Sequence, residues 1–209
     1  MKSKLVLGFS LALAAGVLVV AARRADAQAE FARTFEVDPQ KYLGMWFEVA
    51  RSPNDFEDNL PKLRGEKYGP CTSPTARYTA ISWNKISVQN SCERAAIDDI
   101  SRLRVDGVTG LATIQRNSAN RKLKVAFGPK VARFFQRIFT GGGADYWIYG
   151  IGPENDEGLY SWALVSGPAR DNIFILSRTK ELPQEQLAEI LELAKSEHLP
   201  VSQLIYTRK

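Results

Sequence analysis

The 209-residue chain holds a single histidine, His198, and only two cysteines, Cys71 and Cys92. Two thiols and one imidazole fall short of a standard structural zinc site, which takes four such ligands. A lone imidazole also excludes a Ser-His or Cys-His nucleophile unless His198 itself serves. His198 ends a helical stretch, where it reads as a solvated C-terminal charge. No glycine-rich loop follows a strand and opens a helix, so a phosphate cradle of that kind is missing. There are no internal repeats, and low complexity is confined to the glycines at 141–143. The paired carboxylates Asp98 and Asp99 sit in a polar loop and read as solvated surface. Together these absences weigh against enzyme chemistry, and neither a metal nor a cofactor is expected.

An excess of positive charge is also largely missing once the amino terminus is set aside. Lys2 and Lys4 precede an apolar run at 5–22, followed by Ala25-Asp26-Ala27, with small residues where a signal peptidase cuts. Residues 1–27 read as an export signal. The alternative is an uncleaved anchor, because the run is just long enough to span a bilayer and is followed by Arg23 and Arg24. The signal carries four basic residues and one acidic. Residues 28–209 keep 24 basic and 22 acidic residues, and the formal charge falls from +5 to +2. That balance does not argue for nucleic acid. Export implies an oxidising compartment, periplasmic or extracellular, so Cys71 and Cys92 are expected to be bridged, with two free buried thiols as the alternative.

What is present is strand after strand. Asp38-Pro39 suits the cap and first turn of a very short helix. Candidate strands then run over 45–51, 75–81, 85–91, 102–116, 122–127, 145–151, 161–166 and 172–178. They are separated by breakers such as Trp83-Asn84, Gly128-Pro129, Gly152-Pro153 and Gly167-Pro168. The one strong helical pattern lies at 183–198, where Leu187, Ile190, Leu191 and Ala194 share a face. A short strand at 203–207 ends the series. An all-β chain with one late helix folds as a sandwich or a closed barrel. Evenly spaced hairpins favour an eight-stranded antiparallel up-and-down barrel, which leaves no edge strands and has room for side chains or one small ligand. The C-terminal α-helix is expected on the outside of its wall. A hairpin turning at Trp83-Asn84 sets Cys92 opposite Thr75, four residues from Cys71, so a bridge is compatible with the register without being required by it.

Three stretches, in order, give the chain a family look: YLGMWFEVAR at 42–51, ADYWIYGIGP at 144–153 and WALVSGPARDNIFILSR at 162–178. The chain resembles the lipocalins, and among them the bacterial lipocalin and apolipoprotein D branch. The resemblance spans about 37–208, and Ala144 stands where the family pattern has threonine. It implies a barrel plugged at one end by a short helix. Gly44 would allow close backbone approach there, Trp46 would point into the plugged end and Arg178 would lie over its indole. These residues then have structural roles. Glu48 follows Trp46 by two and shares its face, so it needs a buried partner or a ligand.

Phased by those motifs, strand alternation points Ala76, Tyr78, Val88, Asn90, Ala112, Ile114, Val125, Phe127, Tyr146, Ile148, Ala163, Val165 and Phe174 inward. The set is apolar, with Tyr78, Asn90 and Tyr146 as polar handles, as a small-molecule cavity requires. The family resemblance implies a fatty acid or lysophospholipid, bound by a monomer or weak dimer. Lys130, Arg133 and Arg170 are candidates for an anionic head. Within 130–139 (KVARFFQRIF), Lys130, Arg133 and Arg137 fall on one side of a helical projection and Val131, Phe134, Phe135 and Ile138 on the other. Such a segment at the barrel mouth would suit a membrane surface or a lid hinged at 141–143, with packing of its phenylalanines on the barrel rim as the alternative. The alternatives are an enzyme acting on a lipid or isoprenoid inside the barrel, and a protein-binding module whose barrel is filled.

Overall fold

The structure, a computed structural model, describes residues 35–58, 68–128 and 143–207. The expected signal at 1–27 and the segment 130–139 lie outside the described residues. Helix α1 (Pro39–Tyr42) starts as expected: Asp38 caps it by accepting from Gln40 N at 2.8 Å, with proline at the first turn. Eight strands follow in up-and-down order: β1 (Gly44–Arg51), β2 (Thr75–Ser82), β3 (Lys85–Ala95), β4 (Leu103–Ile114), β5 (Lys122–Phe127), β6 (Ala144–Ile151), β7 (Trp162–Ser166) and β8 (Phe174–Ser177). Helix α2 (Asp55–Asp58) lies in the β1–β2 link, and α3 (Gln184–Ser196) follows the last barrel strand. Each strand pairs antiparallel with its sequence neighbour, and β1 pairs with both β8 and β2, which closes the barrel. The eight-stranded barrel with one C-terminal helix is thus the observed fold.

Two details differ from the sequence reading. The final strand is shorter than 203–207: a 3-10 turn at Val201–Gln203 precedes β9 (Ile205–Tyr206). That strand pairs with Ala50 and Arg51 of β1, whereas β2 pairs with Gly44 to Phe47. β9 thus fills the part of the β1 edge that β2 leaves bare. The β2–β3 register is also one step off the expectation. The turn is Trp83-Asn84, but a shift between Ala80 and Ser82 sets Thr75 opposite Ser91, not Cys92. The chain before β2 instead folds back along the end of β3, with Gly69 N donating to Ala95 O and Thr72 N to Glu93 O. This return brings Cys71 to Cys92, and the two form a disulfide across a sequence separation of 21. A loop of that size is worth about 3 kcal/mol by chain entropy.

Helix α3 covers the outer wall at β6. Ile190 and Ala194 are fully buried beneath it, as the periodicity predicts, while Leu187 and Leu191 are half-buried. Leu193 reaches the wall at Gly150, where a Cβ would stand 2.5 Å from its Cδ2. A bulge between Ile148 and Gly150 turns this glycine to the helix side.

The plugged end is held by one arginine. Arg178 lies 3.7 Å from the centroid of the Trp46 ring. Its Nε donates to Tyr160 O, Nη1 to Met45 O at 2.7 Å and Nη2 to Lys41 O at 3.0 Å. Gly44 is required beside it: its φ is +96, and a Cβ would meet Arg178 Nη1 at 3.2 Å. Replacing Arg178 with alanine removes the ring contact and the guanidinium hydrogen bonds to three carbonyls, of which Lys41 O keeps a bond from Tyr160 N. A loss of about 3 kcal/mol or more is expected, read as a lower urea midpoint. Arg178→Lys should recover less than half, because a single ammonium cannot span the same fork.

Candidate functional site

The strand register fixes which side chains share the inner face. Trp46 pairs with Ala76, Ala76 with Asn90, Tyr78 with Val88 and Gly44, and Val88 with Gly110. The same face continues through the Phe127–Gly110, Val125–Ala112 and Leu123–Ile114 pairs to Tyr146, opposite Leu123. It closes through Ile148, opposite Val165, then Phe174 opposite Val165, and Ala163 opposite Leu176. Every residue expected to point inward lies on this one face. Trp46, Ala112 and Ala163 on it are fully buried, whereas Ala76, Asn90, Phe127, Tyr146 and Phe174 keep some accessible surface.

The face changes character along the barrel axis. Near the plugged end Tyr42 OH and Tyr146 OH stand 2.7 Å apart, and Tyr78 OH donates to Tyr146 OH at 3.0 Å. Burial raises all three phenols above the ordinary 10.0, Tyr78 to about 12. The middle is apolar and small. Toward the mouth the inward positions become charged, and here lie residues the sequence reading did not select. Arg51 is only 3% exposed and sits 3.3 Å from Glu48, 2.8 Å from Glu57 and 2.5 Å from Asp58. Strict alternation would turn Arg51 outward. An extra residue in β1 between Glu48 and Ala50 returns it to the inner face, opposite Phe174. Glu48 thus has the buried partner it needs.

Arg94, 4% exposed, extends the inward run Val88, Asn90, Cys92 on β3. It bonds Asp106 at 3.2 Å, Glu57 O at 3.2 Å and Gly69 O at 3.1 Å. Together with the disulfide it ties the described parts of the β1–β2 link across the mouth. Arg170, expected at an anionic head, is turned elsewhere. Its guanidinium lies 5.8 Å from the Tyr149 ring centroid and 3.8 Å from Glu197, which follows α3 on the outer wall. Lys130 and Arg133 lie outside the described residues. His198 is exposed just past α3, and Asp98 and Asp99 pair with Arg102 on the surface. Among the described residues no group of three or more His, Cys, Asp or Glu side chains is arranged to hold a metal ion.

The mouth cluster is short of positive charge: Glu48, Glu57 and Asp58 surround one guanidinium. Burial, and then the neighbouring Glu57, hold the Glu48 carboxyl well above the ordinary 4.5 against the pull of Arg51. Burial raises Glu57 too. The hydrogen bonds from Arg51 lower Asp58 below 3.8. The folded chain holds the Glu48 proton more tightly than the unfolded chain does. This contribution to stability is complete below pH 4.5 and is lost as the pH rises through the folded-state value. Asp58 acts in the opposite sense, losing its contribution as pH falls below 3.8. Urea titrations should therefore show stability declining above pH 4.5, by at most about 1.4 kcal/mol per pH unit for each proton. The decline should be shallower in Glu48→Gln.

Comparison with known proteins agrees with this architecture. The lipocalin-like domain model matches residues 37–209. Outer membrane lipoprotein Blc of Citrobacter freundii is 30% identical over 173 residues, covering 82% of this chain and 79% of Blc. Apolipoprotein D of Oryctolagus cuniculus is 26% identical over 171 residues, covering 81% and 76%. Among solved structures, lobster apocrustacyanin A1 superposes with a TM-score of 0.52 at 14% identity, covering 89% of this chain and 85% of its own. The matched stretch runs from the plug at Val37 through the Trp46–Arg178 latch and past the outer helix, and over that length the chain belongs to the lipocalin family, whose members bind small hydrophobic ligands.

Proposed function

We propose that this lipocalin is exported and carries a fatty acid or lysophospholipid in its barrel, without chemical turnover. The observation that carries the reading is the inner face. It is apolar and rich in small side chains through its middle, and it keeps accessible surface at Ala76, Asn90 and Tyr146. An acyl chain suits that wall, and the charged collar at Glu48, Arg51 and Arg94 suits a polar head near the mouth. Export rests on the signal-like segment 1–27. It is also supported by the disulfide and by similarity to an outer membrane lipoprotein and an apolipoprotein.

The mouth itself favours contact with a lipid surface. Ile97, Ile100, Leu103 and Val105 in and beside the β3–β4 link are 69, 81, 58 and 70% exposed. The charges among them are largely spent on one another, with Arg102 on Asp98 and Asp99, and Arg104 on Asp106 at 2.7 Å. An exposed apolar tip with neutralised charge beside a cavity is suited to dipping into a bilayer's interface. The basic residues Lys130, Arg133 and Arg137 of the sequence segment 130–139 would add attraction to anionic lipid.

Native mass spectrometry of the protein purified from its own host should find about one fatty acid or lysophospholipid per chain. Ala76→Phe places a ring in the lumen and should weaken fatty-acid uptake about tenfold or more, while costing under about 1 kcal/mol of stability. A filled barrel would give the reverse, a marked loss of stability and no ligand to displace. Replacing Ile97, Ile100 and Leu103 with serine should lower sedimentation with phosphatidylglycerol-containing vesicles several-fold and leave ligand affinity in solution unchanged.

A further inference from the structure

The tyrosines at the plugged end come from three separate elements: Tyr42 from α1, Tyr78 from β2 and Tyr146 from β6. Their rings are tightly set. Tyr42 and Tyr78 meet edge to face at 5.5 Å, Tyr42 stands 5.1 Å from Trp46, and Tyr78 stands 6.3 Å from Tyr146. The hydroxyls are joined in a line, with Tyr146 in the middle. Each neutral phenol carries one proton. Three hydroxyls linked by two hydrogen bonds use two protons, so one O–H has no acceptor within the cluster, whichever way the Tyr42–Tyr146 bond points. Burial keeps all three phenols neutral through physiological pH, so the count holds.

The surroundings say what could complete the line. Arg178, the cation whose charge acts on Tyr42, already directs its Nε, Nη1 and Nη2 at backbone carbonyls. An anion placed here would find a spare phenolic proton but no uncommitted guanidinium edge, which is poor recompense for leaving water. A neutral oxygen would need only that proton. On the same face, across from Ala76 and so two residues along from Tyr78, Asn90 Oδ1 is buried with no hydrogen-bond partner. The wall thus offers an unspent donor at its floor and an unspent acceptor a short step toward the mouth.

We infer that the Tyr42–Tyr146–Tyr78 hydroxyl line is a ligand subsite for a neutral oxygen, a hydroxyl or a carbonyl, carried on the buried end of an acyl chain. This rests on the lumen-binding reading and narrows it, from acyl lipids in general to those oxygenated at the deep end.

The test compares hexadecanoic acid with 16-hydroxyhexadecanoic acid, each displacing a fluorescent fatty acid from the full chain. Without a partner for its hydroxyl, the second acid should bind roughly tenfold or more weakly, because that group leaves water for an apolar wall. With the subsite it should bind the wild-type protein at least as tightly as the plain acid. Tyr146→Phe removes the centre of the line and should weaken the hydroxylated acid about tenfold more than the plain acid. Tyr78→Phe should shift the ratio in the same direction, and it carries the test if Tyr146→Phe does not fold. A ratio that neither substitution moves would overturn the inference, and would mean that water satisfies the spare proton. So would tenfold weaker binding of the hydroxylated acid to wild type. If the plain acid binds in either of these cases, the lumen reading stands alone. If neither acid binds, both readings fall.

Discussion

The guanidinium of Arg178 is the point at which the barrel is tied shut. It reaches from the end of β8 to α1, β1 and the β6–β7 link through three backbone carbonyls, and it lies on the indole of Trp46. A planar, permanently charged fork is suited to this, because it spreads one charge over several acceptors and stacks on a ring at the same time. The arrangement imposes its own requirement on the neighbouring backbone. Gly44 must pass beside the fork with a positive φ and no Cβ. With the plug fixed, Trp46 and Tyr42 form a buried floor, and the tyrosine line can assemble there from three distant parts of the chain.

The other end of the barrel is organised by a different kind of interaction. Arg51 and Arg94 are nearly buried, and each is held by carboxylates and carbonyls drawn partly from the β1–β2 link. Here charge ties down the described parts of the link, at Glu57, Asp58 and Gly69. Three carboxylates face Arg51, and burial, followed by the charge of Glu57, raises the Glu48 carboxyl against the pull of that guanidinium. The lumen therefore runs from a neutral, hydrogen-bonding floor through an apolar middle to a charged collar.

The outer surface divides in a related way. One wall is sealed by α3 through Ile190, Ala194 and Leu193, and Gly150 is small enough to let the helix approach. The β3–β4 tip is left uncovered with its apolar side chains outward. That exposed apolar tip and the charged collar at Glu48, Arg51 and Arg94 lie at the same end of the barrel.

The sequence by itself determined the order of elements, and its resemblance to the lipocalin motifs added the plug, the latch pair and the phase of the inner face. Each is written in local signals: Asp38-Pro39 as a cap, turn residues between alternating strands, and the Gly-x-Trp that resembles the lipocalin motif. Period-two alternation then carries the phase along each strand, and it holds for every inward residue from Ala76 to Phe174 because no bulge separates them from the phasing positions. What only the tertiary structure decided lies where that period breaks or where chain returns on itself. A single extra residue in β1 turned Arg51 inward, and another in β6 turned Gly150 out under the helix. A one-step shift in the β2–β3 register and a fold-back before β2 brought Cys71 to Cys92. Arg170 was drawn to Tyr149 and Glu197 on the far wall. Bulges, long-range charge pairing and the meeting of three tyrosines depend on which segments become neighbours in space, and no periodicity within a strand encodes that.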